Sequence, residues 1–226
     1  MTRTEEVYSR YSRDPHKQRA WGAGNPGNVA IRQELLASVL ELTAPALQEG
    51  GDVLDVGCGT GWLLRALADA GVAPARLCGV DLQESRVRAA RAAAPGARIE
   101  VGDATHLSFD DASCALVTMI TVLSSLPSRD AIRAALAEGR RVLAPGGLLL
   151  VYEPRIPNPL NRNTRLLRDA DLDAAGISPR QQRSLTVLPG LARRLGYLTR
   201  SRYARLARVP PLRTHRVVWF RAPGTP

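Results

Sequence analysis

Val53-Leu54-Asp55-Val56-Gly57-Cys58-Gly59-Thr60-Gly61 is the stretch whose reading decides the fold. Apolar residues around Asp55 form a short buried strand, and glycines at every second position then let the backbone turn tightly against a ligand. Leu63, Leu64 and Leu67 follow on one helical face, so the segment reads as strand, glycine loop and helix. The G-x-G-x-G spacing departs from G-x-G-x-x-G, where the third glycine packs helix on strand beneath a pyrophosphate. Asp55 stands two residues before the first glycine, where a carboxylate repels a diphosphate and suits an ammonium or sulfonium ligand.

Further along, Arg76 to Val80 make a second apolar strand, closed by Asp81. A carboxylate at that place in nucleoside-binding α/β folds accepts hydrogen bonds from ribose hydroxyls. Ile99 and Val101 mark a third strand ending in Gly102-Asp103-Ala104, and Cys114 to Ile120 a fourth after Asp110-Asp111. Arg141 to Val151 then read as a helix end, a Pro-Gly-Gly turn and a fifth strand. Strands alternating with helical patterns imply parallel pairing through right-handed crossovers.

These five ordered blocks, over about residues 50 to 153, resemble the class I S-adenosylmethionine-dependent methyltransferases. The resemblance implies an α/β fold: a Rossmann-like, seven-stranded, mostly parallel sheet with helices on both faces and an N-terminal helical lid. It divides the chain into a lid, 1–45, and an S-adenosylmethionine-binding domain, 46–226, within one globular unit. It implies S-adenosyl-L-methionine as cofactor, leaving as S-adenosyl-L-homocysteine. Asp55, Gly57, Cys58, Gly59, Gly61, Asp81, Leu82 and Thr121 would contact it, with Gly102, Asp103 and Ala104 as the adenine-contacting segment.

Composition agrees with one α/β domain. A chain of 226 residues can bury such a sheet, and no apolar run reaches the roughly 20 residues of a membrane span. The opening Met-Thr-Arg-Thr-Glu-Glu lacks a signal-peptide core, so a cytoplasmic location is expected. Cys58, Cys78 and Cys114 fall in or beside core strands and read as small buried hydrophobes; no His/Cys cluster has metal-ligand spacing. The charge is uneven: residues 154 to 226 hold 15 Arg against three Asp. Codon bias toward arginine explains this as well as an electropositive wall beside the active-site mouth that attracts an anionic or carrier-tethered acceptor. Nucleic acid is disfavoured, because few aromatics accompany the arginines. A homodimer is left open.

The flanks should hold specificity. Tyr8, Tyr11 and Trp21 sit in a polar, aromatic arm suited to a lid over ligand and substrate, and Asn28 reads as the cap of a helix carrying Ile31, Leu35 and Val39. Tyr152 to Asn163 is a Pro- and Asn-rich loop placing Arg155 and Arg162 at the substrate. Arg193 and Arg194 fall on a helix and read as solvated. Strands six and seven are expected at about Arg183 to Leu188 and His215 to Phe220, with helices between Leu191 and Leu206. A hydroxyl acceptor needs a base: Glu153, at the carboxyl end of strand five, is one candidate and His16 the other. Glu153 also reads as a partner of Arg155 that shapes the loop. His106 reads as a surface residue and His215 as a structural one on the far side of the sheet. Val122 to Leu126, the Asn-Pro-Leu-Asn-Arg loop and Leu212 to His215 resemble small bacterial methyltransferases of polysaccharide and secondary-metabolite clusters. The reading is methyl transfer to a small-molecule hydroxyl; alternatives are a cofactor-binding relative with another reaction, or an RNA methyltransferase.

Overall fold

In a computed structural model, residues 24–48, 50–157, 164–194 and 199–224 are described. Seven strands form one sheet in the order β3-β2-β1-β4-β5-β7-β6. They are β1 (Asp52–Val56), β2 (Leu77–Asp81), β3 (Arg98–Val101), β4 (Cys114–Ile120), β5 (Leu143–Pro154), β6 (Gln181–Val187) and β7 (Arg213–Arg221). The first five run parallel, and β7 lies antiparallel between β5 and β6. Helices α1 (Pro26–Gln48), α2 (Trp62–Asp69), α3 (Glu84–Ala93), α4 (Arg129–Arg141), α5 (Asp169–Ala174), α6 (Pro189–Arg194) and α7 (Thr199–Leu206) cover it.

Strands buried on both faces must be apolar at successive positions, and alternation then sends neighbours to opposite layers. Val53, Leu77, Leu116 and Leu150 pack under Leu35 and Val39 of α1, Leu63, Leu64 and Leu67 of α2, and Val87 and Ala90 of α3. Leu54, Val56, Val117, Met119, Leu149 and Val151 pack on the other side against Ile132, Ala135 and Leu136 of α4 and Leu172 of α5. Ser128 caps α4, its hydroxyl accepting from the Ala131 amide at 3.0 Å. The three cysteines are free and buried, as expected of small hydrophobes.

Three expectations are corrected. The side chain that caps α1 is Asn25, whose carboxamide oxygen accepts from the Gly27 amide at 2.9 Å; Asn28 lies buried inside the helix and accepts from Arg193 Nε at 2.7 Å. Arg193 is therefore not a solvated residue: it ties α6 to α1. Strands six and seven begin two residues earlier than the apolar pattern suggested, because their first residues, Gln181-Gln182 and Arg213-Thr214, are polar and carry no apolar alternation.

Candidate functional site

The carboxyl ends of the parallel strands meet at one edge, where open α/β sheets bind ligands. Leaving β1, Gly57 and Cys58 donate their amides to the Val80 carbonyl at 2.7 and 2.9 Å, which folds the glycine loop over β2. Asp81, at the end of β2, grips the loop: its carboxylate accepts from the Gly59 amide at 3.0 Å and from the Gln83 amide at 2.9 Å. Gly57, Gly59 and Gly61 all have positive φ. They differ in what surrounds them. A Cβ on Gly57 would meet Val122 at 2.3 Å and one on Gly61 would meet the Ala90 backbone at 2.9 Å, whereas one on Gly59 would meet nothing within 4 Å. Gly59 alone of the three opens onto free space.

Next to that opening, Leu82 and Val101 are each 50% exposed, apolar surface at the rim of β2 and β3. Gly102 follows, and Asp103 folds the chain back by accepting from the Thr105 amide and hydroxyl at 2.8 and 2.9 Å. A carboxylate for ribose, apolar surface for a purine and an open glycine cradle together fit S-adenosylmethionine. The side chains assigned to it are thereby gathered on one edge. Asp55 is set deeper: it is buried, accepts from the Thr118 hydroxyl at 2.7 Å, and burial pushes its carboxyl up to about 7.

Glu153 does not occupy the place expected of a base. It is fully buried, and its oxygens accept from the amides of Leu123 at 2.7 Å and Ser124 at 3.3 Å. It is not paired with Arg155 either, whose guanidinium donates to the Arg213 carbonyl at 2.9 Å and the Ser184 hydroxyl at 3.3 Å. Burial pushes the Glu153 carboxyl up to about 7. The physical reason is strand alternation: Tyr152 takes the α1 face, so Glu153 turns into the α4 side, beneath the turn that follows β4. That turn is the neighbour of the cradle, since Val122 abuts Gly57. Thr121 opens it with φ 56, unusual for a β-branched residue, its amide donating to the Tyr152 carbonyl at 2.8 Å.

His215 is the residue that sequence reasoning misplaced. Because β7 is antiparallel, its beginning lies at the ligand-facing edge, with His215 opposite Pro154. The expectation of a mostly parallel sheet contained the needed signal: one reversed strand exchanges the two ends. Arg155 follows the end of β5 and lines a cavity of about 250 Å³ with Gln182, Arg183, Ser184 and Arg216. His106 is exposed, as expected. Tyr8, Tyr11, His16, Trp21 and Arg162 lie outside the described residues. Among the described residues no group of His, Cys, Asp and Glu could hold a metal, and no helix is long and apolar enough to cross a membrane.

Residues 53–147 match the family model for a methyltransferase domain. A demethylmenaquinone methyltransferase of Staphylococcus epidermidis is 33% identical over 114 residues, 49% of this chain and 46% of that protein. The chain spans less than half the length of such curated relatives. Among solved structures, a Haloferax volcanii methyltransferase in complex with its methyltransferase activator superposes with a TM-score of 0.60 at 22% identity, over 91% of this chain and 97% of that one. The 4+2 cyclase SpnF superposes with a TM-score of 0.56 at 18% identity, over 82% of each chain. The fold is thus the Rossmann-like one of the class I methyltransferases.

Proposed function

We propose that this chain, a class I S-adenosylmethionine-dependent methyltransferase by its domain match and its fold, methylates a hydroxyl of a small sugar-like or natural-product acceptor. The observation that carries the reading is the Gly59 opening, framed by the Asp81 carboxylate and by exposed Leu82 and Val101. When bound, S-adenosylmethionine supplies an electrophilic methyl on a cationic sulfur. Asp81 holds ribose hydroxyls, Leu82 and Val101 cover the faces of the base, and Gly59 lets the backbone approach the ligand closely. Displacement at a methyl carbon gains mainly from aligning the reacting groups and excluding water, so the chain's remaining task is to orient the acceptor.

The acceptor side of the edge is polar. Tyr152, Thr186 and His215 cluster over β5, β6 and β7 on the α1 face, and Arg155 lines a basic cavity at the end of β5 toward the opposite face. That supports an oxygen acceptor carrying, or tethered to, an anionic group. The reading is tested by calorimetry with S-adenosylmethionine and S-adenosylhomocysteine, then by following labelled methyl into pools of phenols, glycosides, quinols and RNA. Micromolar cofactor binding and label in a small-molecule O-methyl ether are expected. A C-methylated quinol, labelled RNA, or cofactor bound with no transfer to any pool would overturn the hydroxyl reading.

A further inference from the structure

The edge over β5, β6 and β7 carries a connected set of polar side chains that the cofactor cradle does not use. The His215 ring stacks on Tyr152, centroids 5.1 Å apart and planes 8° from parallel. The Tyr152 hydroxyl is 2.5 Å from Thr186 Oγ1. The Thr186 amide donates to Glu34 of α1 at 2.9 Å, and the Tyr203 hydroxyl donates to the same carboxylate at 2.7 Å. Tyr152, on which the imidazole stacks, is thus buttressed from β6, α1 and α7. Such preparation is more than a surface histidine receives.

The two ring nitrogens have different neighbours. Thr214 Oγ1 donates to the Thr186 carbonyl at 3.4 Å and lies 3.0 Å from His215 Nδ1. A hydroxyl has one proton to give. In the Nδ1–H tautomer the ring donates to that hydroxyl, the hydroxyl proton stays on the carbonyl, and Nε2 keeps its lone pair. Nε2 has no hydrogen-bond partner among the described residues. Among the described residues, Tyr152 of β5 stacks on the ring and Arg193 of α6 acts on it electrostatically, with Glu34 of α1 and Tyr203 of α7 one step further along the network. Burial first, and then the Arg193 cation, lower the ring's pKa to about 4, so it is neutral at neutral pH.

We propose that His215 Nε2 is the proton acceptor for the acceptor's hydroxyl. This rests on the hydroxyl-methylation reading. The residues fitted to the nucleoside stand over β2 and β3, which leaves the β4-β5-β7 side of the edge to the acceptor; β7 is two strand spacings, roughly 10 Å, from β4. As the acceptor oxygen's electron pair forms the new O–CH3 bond, the methyl–sulfur bond breaks and its pair stays on sulfur. The O–H bond breaks in turn, its pair returning to oxygen and its proton going to Nε2, which later releases it to water. A weak base suffices, because a hydroxyl oxygen bonding to a methyl group becomes strongly acidic as the bond forms.

Three measurements test it. Long-range 1H–15N spectra of the free protein at pH 7 should show a protonated Nδ1 and a bare Nε2 for His215; an Nε2–H or imidazolium ring overturns the proposal without any acceptor. With catechol, whose hydroxyl needs a base, and 4-nitrocatechol, largely ionised at the assay pH, His215→Gln and His215→Asn should lower kcat on catechol by about 10²- to 10⁴-fold. The loss on 4-nitrocatechol should be at least tenfold smaller, with S-adenosylhomocysteine affinity within about twofold of wild type. Equal losses on both phenols would show that His215 only supports the fold. Finally, wild-type kcat/KM on catechol should hold level below neutral pH and fail only as pH nears 4, where the His215 ring takes up a proton, whereas the 4-nitrocatechol reaction should fall earlier, as that phenol itself is protonated; a catechol reaction that falls in step with 4-nitrocatechol would overturn the proposal. Cofactor binding with neither phenol nor any other hydroxyl methylated would instead defeat the proposed function.

Discussion

Gly59 and Gly61 share a motif and a left-handed backbone, yet substitution should separate them. At Gly59 an alanine costs about 1–2 kcal/mol of backbone strain and meets no protein atom, but fills the cradle. Gly59→Ala should therefore stay folded and lose cofactor binding in calorimetry. At Gly61 the added methyl meets the Ala90 backbone, so Gly61→Ala should lower thermal stability, overpacking adding about 1–3 kcal/mol to the strain. A Gly59 variant that binds normally would place the ligand elsewhere. Asp81→Ala removes a charge-assisted contact worth about 1.5–3 kcal/mol, so Kd for S-adenosylhomocysteine should rise roughly 10- to 150-fold. Of these residues the glycines and Asp81 were legible from spacing alone. Glu153 was legible as a residue at the right strand end and misleading in direction, because one step along a strand reverses the face.

At the scale of elements, the turn after β4 is held from β5 by Glu153 and the Tyr152 carbonyl, and presses Val122 on Gly57. Glu153→Ala leaves two buried amides without partners, each costing about 1–3 kcal/mol. It should lower stability and weaken cofactor binding together. Unchanged affinity in a folded Glu153→Ala protein would uncouple the turn from the cradle. Helix α1, read as part of a lid, packs its Leu35 and Val39 into the sheet core, while Glu34 and Glu41 reach the Thr186 amide and Arg183. Leucine and valine spacing foretold the helix. The partners of its polar residues lie far along the chain, and only folding brings them near.

Two consequences belong to the whole molecule. Burial raises both Asp55 and Glu153 to about 7, so between about pH 4.5 and 7 the native state holds protons that the unfolded chain has released. Each group then contributes stability that is lost as pH rises through that window, at up to about 1.4 kcal/mol per pH unit. Arginine partners lower Glu41, Glu138 and Asp169, whose contributions are instead lost below the ordinary carboxylate range. Urea unfolding should show falling stability from pH 5 to 7, with a flatter slope in Glu153→Gln; an identical slope in that variant would contradict the assignment. Many C-terminal arginines serve as internal staples: Arg213 and Arg221 bind backbone carbonyls, Arg180 and Arg216 bind Asp169. Arg155 stays exposed, so transfer to an anionic acceptor should lose kcat/KM as salt passes about 0.1 M, and Arg155→Ala should raise KM more than it lowers kcat. Salt-insensitive transfer to a neutral acceptor would leave the arginine excess to stapling and codon bias.

By itself the sequence determined the layers, the five parallel strands and the glycine loop with Asp81 beside it, because those depend on local spacing: apolar runs, glycines that permit positive φ, a carboxylate closing a strand. What the tertiary structure decided is which side chains share the acceptor's end of the edge. Strand direction and strand face are set by pairing between residues distant in the chain, and β7 lying antiparallel beside β5 brought His215 to that edge. The same packing turned Glu153 inward, since a buried turn with two unpaired amides needed a carboxylate more than the open mouth did.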